Sequence, residues 1–302
     1  MTPDTQHSGF TPDVRSFFEP ESFTWTHLVA DPASGDAALV DPVWVYDPVT
    51  GQTDRSFIDE VLASLEASGW TLKWILETHA HADHLSSGDL VRRETGVPLV
   101  IGAGIRGVQR NFARVYNLAD LPVDGSQFDH LATQGDRFPL GDRFIEVMNT
   151  PGHTGDSVTY LVGDAAFVGD TLFAPGYGSA RCDFPGGDAG QLFDSIQALH
   201  GLPDETRLFL CHDYPKANAE PVSVVTVAES RANNIHVGSN TSREEFIAMR
   251  EARDATLGLP RLILPALQVN VRAGGEPAPE SNGASYLKIP FNTTIPELLS
   301  EE

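Results

Sequence analysis

Apolar positions along the chain fall into short runs of two kinds, alternating or continuous runs of about five residues and runs with helical spacing. Phe23 to Ala30 and Ala37 to Asp41 are rich in apolar and β-branched residues, and the segment Asp31-Pro32-Ala33-Ser34-Gly35 separates them. This predicts two strands and a turn. Trp44 to Asp54, with Pro48 and Gly51, reads as a loop. Ile58, Val61, Leu62 and Leu65 recur at helical spacing within Ser56 to Ser68, and Gly69 supplies a stop. Leu72 to Leu76 predicts a strand, Leu85 to Glu94 a helix and Pro98 to Gly102 a strand. Phe138 to Asn149 reads as a strand pair broken at Gly141-Asp142, and Val158 to Val162 with Ala165 to Val168 as a hairpin around Gly163-Asp164. Gln191 to Gly201 predicts a helix, Arg207 to Cys211 a strand, and Val222 to Asn234 and Ser242 to Thr256 helices. From Leu259 on the chain is rich in proline and glycine, with one apolar run, Ile263 to Val271. Hairpins mixed with strand–helix crossings predict an α/β sandwich rather than a purely parallel sheet.

The 302 residues, 41% of them hydrophobic, are enough for one large core. The expected division is a flexible tail at 1–12, a main domain at 13–235 and a C-terminal extension, 236–302, packed on the same domain. No apolar run is long enough to cross a membrane, and Met1 to Gly9 has no signal-peptide core, so a cytoplasmic protein with no membrane partner is expected. The formal net charge of -22 argues against nucleic acid and anionic membranes as partners. Any anionic substrate would need local positive charge. Two cysteines, Cys182 and Cys211, can build neither a disulfide framework nor a thiolate zinc site. Both are expected to be packed thiols. A homodimer is the prior for oligomeric state, because two-fold homodimers are the commonest.

The chemistry concentrates in Thr78-His79-Ala80-His81-Ala82-Asp83-His84-Leu85, directly after the apolar segment Trp74-Ile75-Leu76. No regular helix or strand aims His79, His81, Asp83 and His84 at one point, but a loop at a strand end does. Imidazole and carboxylate together suit zinc, iron or manganese. Metal-type residues recur at other strand ends: His153 after Ile145-Glu146-Val147-Met148, Asp170 after Phe167-Val168-Gly169, and His212 after Leu208-Phe209-Leu210-Cys211. Ligands collect where loops converge outside a sheet edge. His7, His27, His130, His200 and His236 have no such setting and are expected to be surface or packing residues.

The set His79-x-His81-x-Asp83-His84, His153, Asp170 and His212 resembles the metallo-β-lactamase superfamily, from about Phe17 to His212. Thr150-Pro151-Gly152-His153-Thr154 and Val168-Gly169-Asp170-Thr171-Leu172-Phe173, shared across several activities, fit the glyoxalase II branch, and Ala180-Arg181-Cys182-Asp183-Phe184-Pro185-Gly186-Gly187 is the discriminating segment, similar to that of persulfide (sulfur) dioxygenases. Gln268-Val269-Asn270 and Tyr286-Leu287-Lys288-Ile289-Pro290 are similar to the bacterial subgroup named β-lactamase-like hydrolases. Cys182 stands where the Arg-x-Asp-Phe segment more commonly has threonine.

The resemblance implies an αββα sandwich with a metal site at the sheet edge. It implies one Fe(II) per chain on His79, His153 and Asp170, with His81, Asp83, His84 and His212 around them orienting ligands and holding water. Two imidazoles and one carboxylate leave open positions for substrate and O₂. The implied reaction is oxidation of a thiol persulfide, most naturally glutathione persulfide, by O₂ to sulfite and thiol, a step in sulfide detoxification. Arg181 is the candidate for the carrier's carboxylate, with a salt bridge to Asp183 as the bland alternative, and Tyr177 is a candidate for its peptide part. The same residues also serve two zinc ions, His79, His81 and His153 on one and Asp83, His84 and His212 on the other, bridged by Asp170. That arrangement would hydrolyse a thioester or lactone.

Overall fold

Residues of opposite parity along each central strand join different apolar layers. On the strand Thr71–Leu76, Ile75 packs toward helices while Trp74 and Leu76 pack toward a second sheet. That alternation builds four layers from one chain. The structure, a computed structural model, describes residues 10–216, 219–238 and 240–300. His7 and most of the expected tail lie outside the described residues.

In chain order the first half holds β1 (Asp13–Glu19), β2 (Thr24–Ala30), β3 (Asp36–Val40), β4 (Val43–Asp47), β5 (Gln52–Asp54) and α1 (Ser56–Ala67). Then come β6 (Thr71–Leu76), β7 (Leu85–Ser86), α2 (Gly88–Thr95), β8 (Leu99–Gly102), α3 (Ile105–Val115) and β9 (His130–Ala132). The second half holds β10 (Arg137–Leu140), β11 (Arg143–Asn149), β12 (Val158–Val162), β13 (Ala165–Phe167), α4 (Ala189–His200), β14 (Arg207–Phe209) and β15 (Val224–Thr226). It closes with α5 (Val227–Asn233), α6 (Arg243–Asp254), α7 (Ile263–Asn270) and α8 (Ile295–Ser300).

One six-stranded sheet runs β1-β2-β3-β6-β8-β9 and the other β10-β11-β12-β13-β14-β15, while β5, β4 and β7 make a small third sheet. Val29, Val40, Leu76 and Val100 meet Ile145, Val147, Tyr160 and Phe167 between the two large sheets. Ile58, Val61, Val91, Ile105 and Phe112 cover the outer face of the first sheet. Leu192, Ile196, Val227 and Phe246 cover the outer face of the second. The architecture is the αββα sandwich. Shortening such a fully buried leucine or isoleucine to alanine costs about 2–5 kcal/mol.

Several elements differ from the periodicity reading. Trp44 to Asp54 is a hairpin, β4 and β5, whose turn is the Pro48–Gly51 segment. The helix expected from Leu85 begins three residues later, because Leu85-Ser86 pairs with β4 as a strand. The front of Val222 to Asn234 is strand β15, and the helix starts only after Thr226, where Thr226 and Glu229 form a capping box. β1, α3, β9 and α8 have no counterpart in the periodicity reading.

Candidate metal centre

β3 and β6 are parallel neighbours, and the chain leaves both at the same edge. Asp41 follows β3 with a left-handed backbone (φ 49°), and its N–H donates to Leu76 O at 2.9 Å. This turn puts a buried carboxylate under the histidine loop. Asp41 Oδ1 accepts from Thr78 N at 2.7 Å and Oδ2 from Thr78 Oγ1 at 2.9 Å. The Thr78 hydroxyl proton is thereby committed, so its oxygen accepts the His79 Nδ1 proton at 3.0 Å. His79 Nε2 is left as a bare lone pair. Asp41 Oδ1 also accepts from His81 Nε2 at 3.1 Å, which leaves His81 Nδ1 bare. On the other side of the loop, Asn270 Nδ2 donates to the carbonyls of His81 and His84, both at 2.8 Å, and Asn270 Oδ1 accepts from Ser86 N at 2.8 Å.

His153 follows β11. Its Nδ1 proton goes to the Arg181 carbonyl at 2.7 Å, so its Nε2 faces Asp170 Oδ2, 3.7 Å away. Asp170 follows β13 through Gly169, whose φ is 53° and where an added Cβ would come within 2.6 Å of Thr78 Oγ1. Only glycine lets these two loops approach that closely. His212 follows β14; its Nδ1 donates to Phe23 O at 3.1 Å, and its Nε2 lies 3.0 Å from Asp83 Oδ2 and 3.4 Å from Asp170 Oδ1.

The candidate ligand atoms include two adjoining groups, each within 4.8 Å: His79, His153 and Asp170 in one, and His81, Asp83, His84 and His212 in the other; Asp170 and His212 also group with Cys211, and His81 with Asp41 and Glu77. His79 Nε2, His81 Nδ1, His84 Nε2, His212 Nε2 and Asp170 Oδ1 are buried without a hydrogen-bond partner. So many unpartnered buried polar atoms gathered in one place would be costly unless a bound group satisfied them, and a cation that displaces the protons of the raised histidines, His81 and His212, would do so. The donor set fits a divalent metal, and the cluster is a metal-binding site. Burial pushes the His79 imidazole well below its usual range, with His81 and His153 pushing the same way, and burial takes His84 down to about 4. Both are held neutral, as ligands must be. Burial also lowers His212, but Asp170 and Asp83 outweigh it and lift it to about 9. His81 is raised well above its usual value because Asp41 and Glu77 outweigh its burial.

A cavity of about 560 Å³ opens over the site. Asp83, His153 and Asp170 lie on its floor, Phe173, Tyr177, Phe184 and Tyr214 on its walls, and Arg181, Arg250, Arg253 and Arg261 around it. The Arg181 guanidinium already has partners: Asp183 at 2.6 and 2.7 Å, Gly258 O at 2.6 Å, and the Phe184 ring 4.7 Å below it. The bland alternative for Arg181 is thus present in the structure. The Tyr177 hydroxyl donates to Tyr214 O. Among the described residues the Arg253 guanidinium makes no hydrogen bond, and that of Arg261 makes one, to Glu21 O at 3.3 Å, with Asp47 in its field.

His27, His200 and His236 are packing residues, bonded to Leu210 O, Ser230 Oγ and Ser179 N respectively, and His130 is exposed. Cys182 and Cys211 are buried. The sequence reading gives no site role to Asp41, Arg253 or Arg261, and names Asn270 only within the segment Gln268-Val269-Asn270. Asp41 carried a usable signal, since it is an acidic residue at the end of an apolar strand, like Asp170.

Residues 22–212 match the metallo-beta-lactamase superfamily. A "Beta-lactamase hydrolase-like protein" of Agrobacterium fabrum is 46% identical over 95% of this chain, and the chain spans 66% of that relative's length. The mitochondrial persulfide dioxygenase ETHE1 of Bos taurus is 31% identical over 280 residues, covering 91% of this chain and 94% of the relative. The crystal structure of ETHE1 from Myxococcus xanthus superposes with a TM-score of 0.70 at 32% identity, covering 87% of this chain and all (100%) of that one.

Proposed function

The chain belongs to the metallo-β-lactamase superfamily, as an enzyme with a histidine and aspartate metal site, and we propose that it is a persulfide dioxygenase. The observation that carries this reading is that His79, His153 and Asp170 gather as one ligand group without His81. Two imidazoles and one carboxylate are the donor set of non-haem iron oxygenases. The likeness to ETHE1, in sequence and in fold, supports the same reading.

His79, His153 and Asp170 would hold one Fe(II), which when bound supplies open coordination positions and a redox-active centre between the sulfur, the source of the electrons, and O₂. The overall reaction is RSS⁻ + O₂ + H₂O → RSH + SO₃²⁻ + H⁺; the terminal sulfur is oxidised and O₂ takes up four electrons. The chain's own residues bind and orient. Thr78 and the Arg181 carbonyl take the Nδ1 protons of both imidazoles and so leave both Nε2 atoms free to hold the metal. His81, Asp83, His84 and His212 stand beside the triad and set its charge and hydration. Asp83 and His212, 3.0 Å apart, are placed to hold the water that the reaction consumes. The aromatic walls exclude bulk water, and Arg253 and Arg261 at the mouth attract the carrier's carboxylates.

A second reading has its own observation: His81, Asp83, His84 and His212 form a complete second ligand group. With two zinc ions the site would hydrolyse a thioester. The experiment is metal analysis of protein purified without chelator, then O₂ uptake and sulfite release on glutathione persulfide beside thioester hydrolysis. One iron per chain with stoichiometric O₂ uptake is expected. Two zinc ions per chain with hydrolysis and no O₂ uptake by the iron-loaded protein would replace the first reading with the second.

A further inference from the structure

The loop from Gly178 to Asp183 carries one main-chain atom of the metal site, the Arg181 carbonyl that takes the His153 Nδ1 proton. This loop has no regular secondary structure of its own. Beyond the Gly178 bonds to Phe173 and Ala174, its main chain is held by side chains from residues 234–254. Asn234 Nδ2 donates to Gly178 O at 3.0 Å, and His236 Nδ1 accepts from Ser179 N at 2.9 Å. Arg250 Nη1 donates to Ser179 O at 3.1 Å, and Asp254 Oδ2 accepts from Cys182 N at 2.8 Å.

Arg250 and Asp254 lie one turn apart on α6 and are 1% and 4% exposed. Arg250 Nε and Nη2 both donate to Asp254 Oδ1, at 3.0 and 2.6 Å. The pair therefore uses one carboxylate oxygen and two guanidinium nitrogens on itself. The remaining oxygen and the remaining nitrogen both reach the loop, on either side of Arg181. A buried ion pair is weak evidence for stability, because well-packed apolar residues often serve as well. Apolar residues could not, however, hold two main-chain groups at fixed points three residues apart.

We infer that Arg250 and Asp254 are positioning residues for the metal centre, acting through the Arg181 carbonyl on the tautomer and ring orientation of His153. The inference rests on His153 being a ligand, as proposed above, but not on whether the loaded enzyme oxidises or hydrolyses. It makes metal affinity depend on a helix that lies beyond residues 22–212.

The test is Co(II) binding to metal-free protein, followed by competition with a chelator and by the visible absorption of the bound ion. Asp254→Asn keeps the side-chain shape and one oxygen while removing the charge. It should weaken Co(II) by about 10–100-fold, as losses behind a metal ligand do, and shift the absorption bands. Arg250→Lys keeps the charge but loses the fork, and should fall between Asp254→Asn and wild type. Arg243→Gln breaks the exposed Arg243–Asp194 pair on the same helix and serves as the control for general destabilisation. Asp254→Asn with the affinity and spectrum of Arg243→Gln overturns the inference. If Asp254→Asn does not fold, Arg250→Lys decides: wild-type affinity with wild-type bands overturns the inference, and weaker binding with shifted bands supports it.

Discussion

The rim of the cavity makes a quantitative claim about the carrier of the substrate sulfur. Glutathione persulfide has two carboxylates, an ammonium and a sulfur anion, about -2 in all at neutral pH. The protein carries -22, so its general field repels such a substrate. Local cations must outweigh that repulsion. Arg181, the residue singled out by its sequence segment, has three of its five N–H donors engaged by Asp183 and Gly258 O. Among the described residues the Arg253 guanidinium has no hydrogen-bond partner, and that of Arg261 hydrogen-bonds only a main-chain oxygen, with Asp47 in its field. A charge-assisted hydrogen bond contributes about 1.5–3 kcal/mol. The exposed rim puts each arginine at the lower end, so Arg253→Gln and Arg261→Gln should each raise KM for glutathione persulfide about tenfold. Their effect on kcat should be smaller, because the carrier is held equally before and during the reaction. The preference for glutathione persulfide over 2-hydroxyethyl persulfide should fall by about the same factor. Screening acts oppositely on the two fields: added salt at low ionic strength should help the double variant, where only repulsion remains, more than the wild type. The assay is O₂ uptake against substrate concentration at two ionic strengths. A tenfold KM effect in Arg181→Gln, with none in either rim variant, would refute this division of labour.

Three further outcomes follow from the site and the core. Asp170→Ala should abolish metal binding while leaving the circular dichroism spectrum native, and full iron content in that variant would remove Asp170 from the ligand set. His84→Ala should keep one metal per chain and slow turnover about 10–100-fold if the site is mononuclear; loss of half of the bound metal would show a dinuclear site. Burial pushes the His27 imidazole down to about 4, against about 6.5 when unfolded. The unfolded chain therefore binds the extra proton between those values, so stability is complete above pH 6.5 and falls by about 3 kcal/mol toward pH 4. Urea midpoints should show this acid limb flattened in His27→Gln, and an equally steep limb would assign it to other groups.

What could be read from the chain was local. The histidine loop, the Gly152-His153 and Gly169-Asp170 turns and His212 each sit directly after an apolar strand, and adjacency in sequence was enough to find them. Trp44 to Asp54 reads as a loop because Pro48 and Gly51 are turn residues, and strands of five and three residues are too short for alternation to show. Strand β15 merges into a helix in the sequence because Val224-Val225-Thr226 adjoins a helical pattern with no breaker between them. Helix α3 has no place in the periodicity reading, although Ile105, Val108, Phe112 and Val115 keep helical spacing and are buried. Asn270 could not be found by proximity: it is separated by 186 residues from the His84 carbonyl that it holds. An asparagine in an apolar helix gives no sign of the loop it will meet.

The C-terminal part of the chain gives the centre its geometry without supplying any of the seven metal-type residues. Asn270, on α7, holds the main chain of the histidine loop from one side. Arg250 and Asp254, on α6, hold the His153 side through the loop that carries Arg181. Ligand atoms held in this way meet a cation without first losing conformational freedom, so part of the ordering cost of metal binding has already been met during folding. Linkage is reciprocal: if the folding of α6 and α7 strengthens metal binding, bound metal must stabilise α6 and α7 by the same free energy. What carries that coupling is the position of a few main-chain groups. It explains how helices whose sequences carry no metal motif can belong to the metal centre.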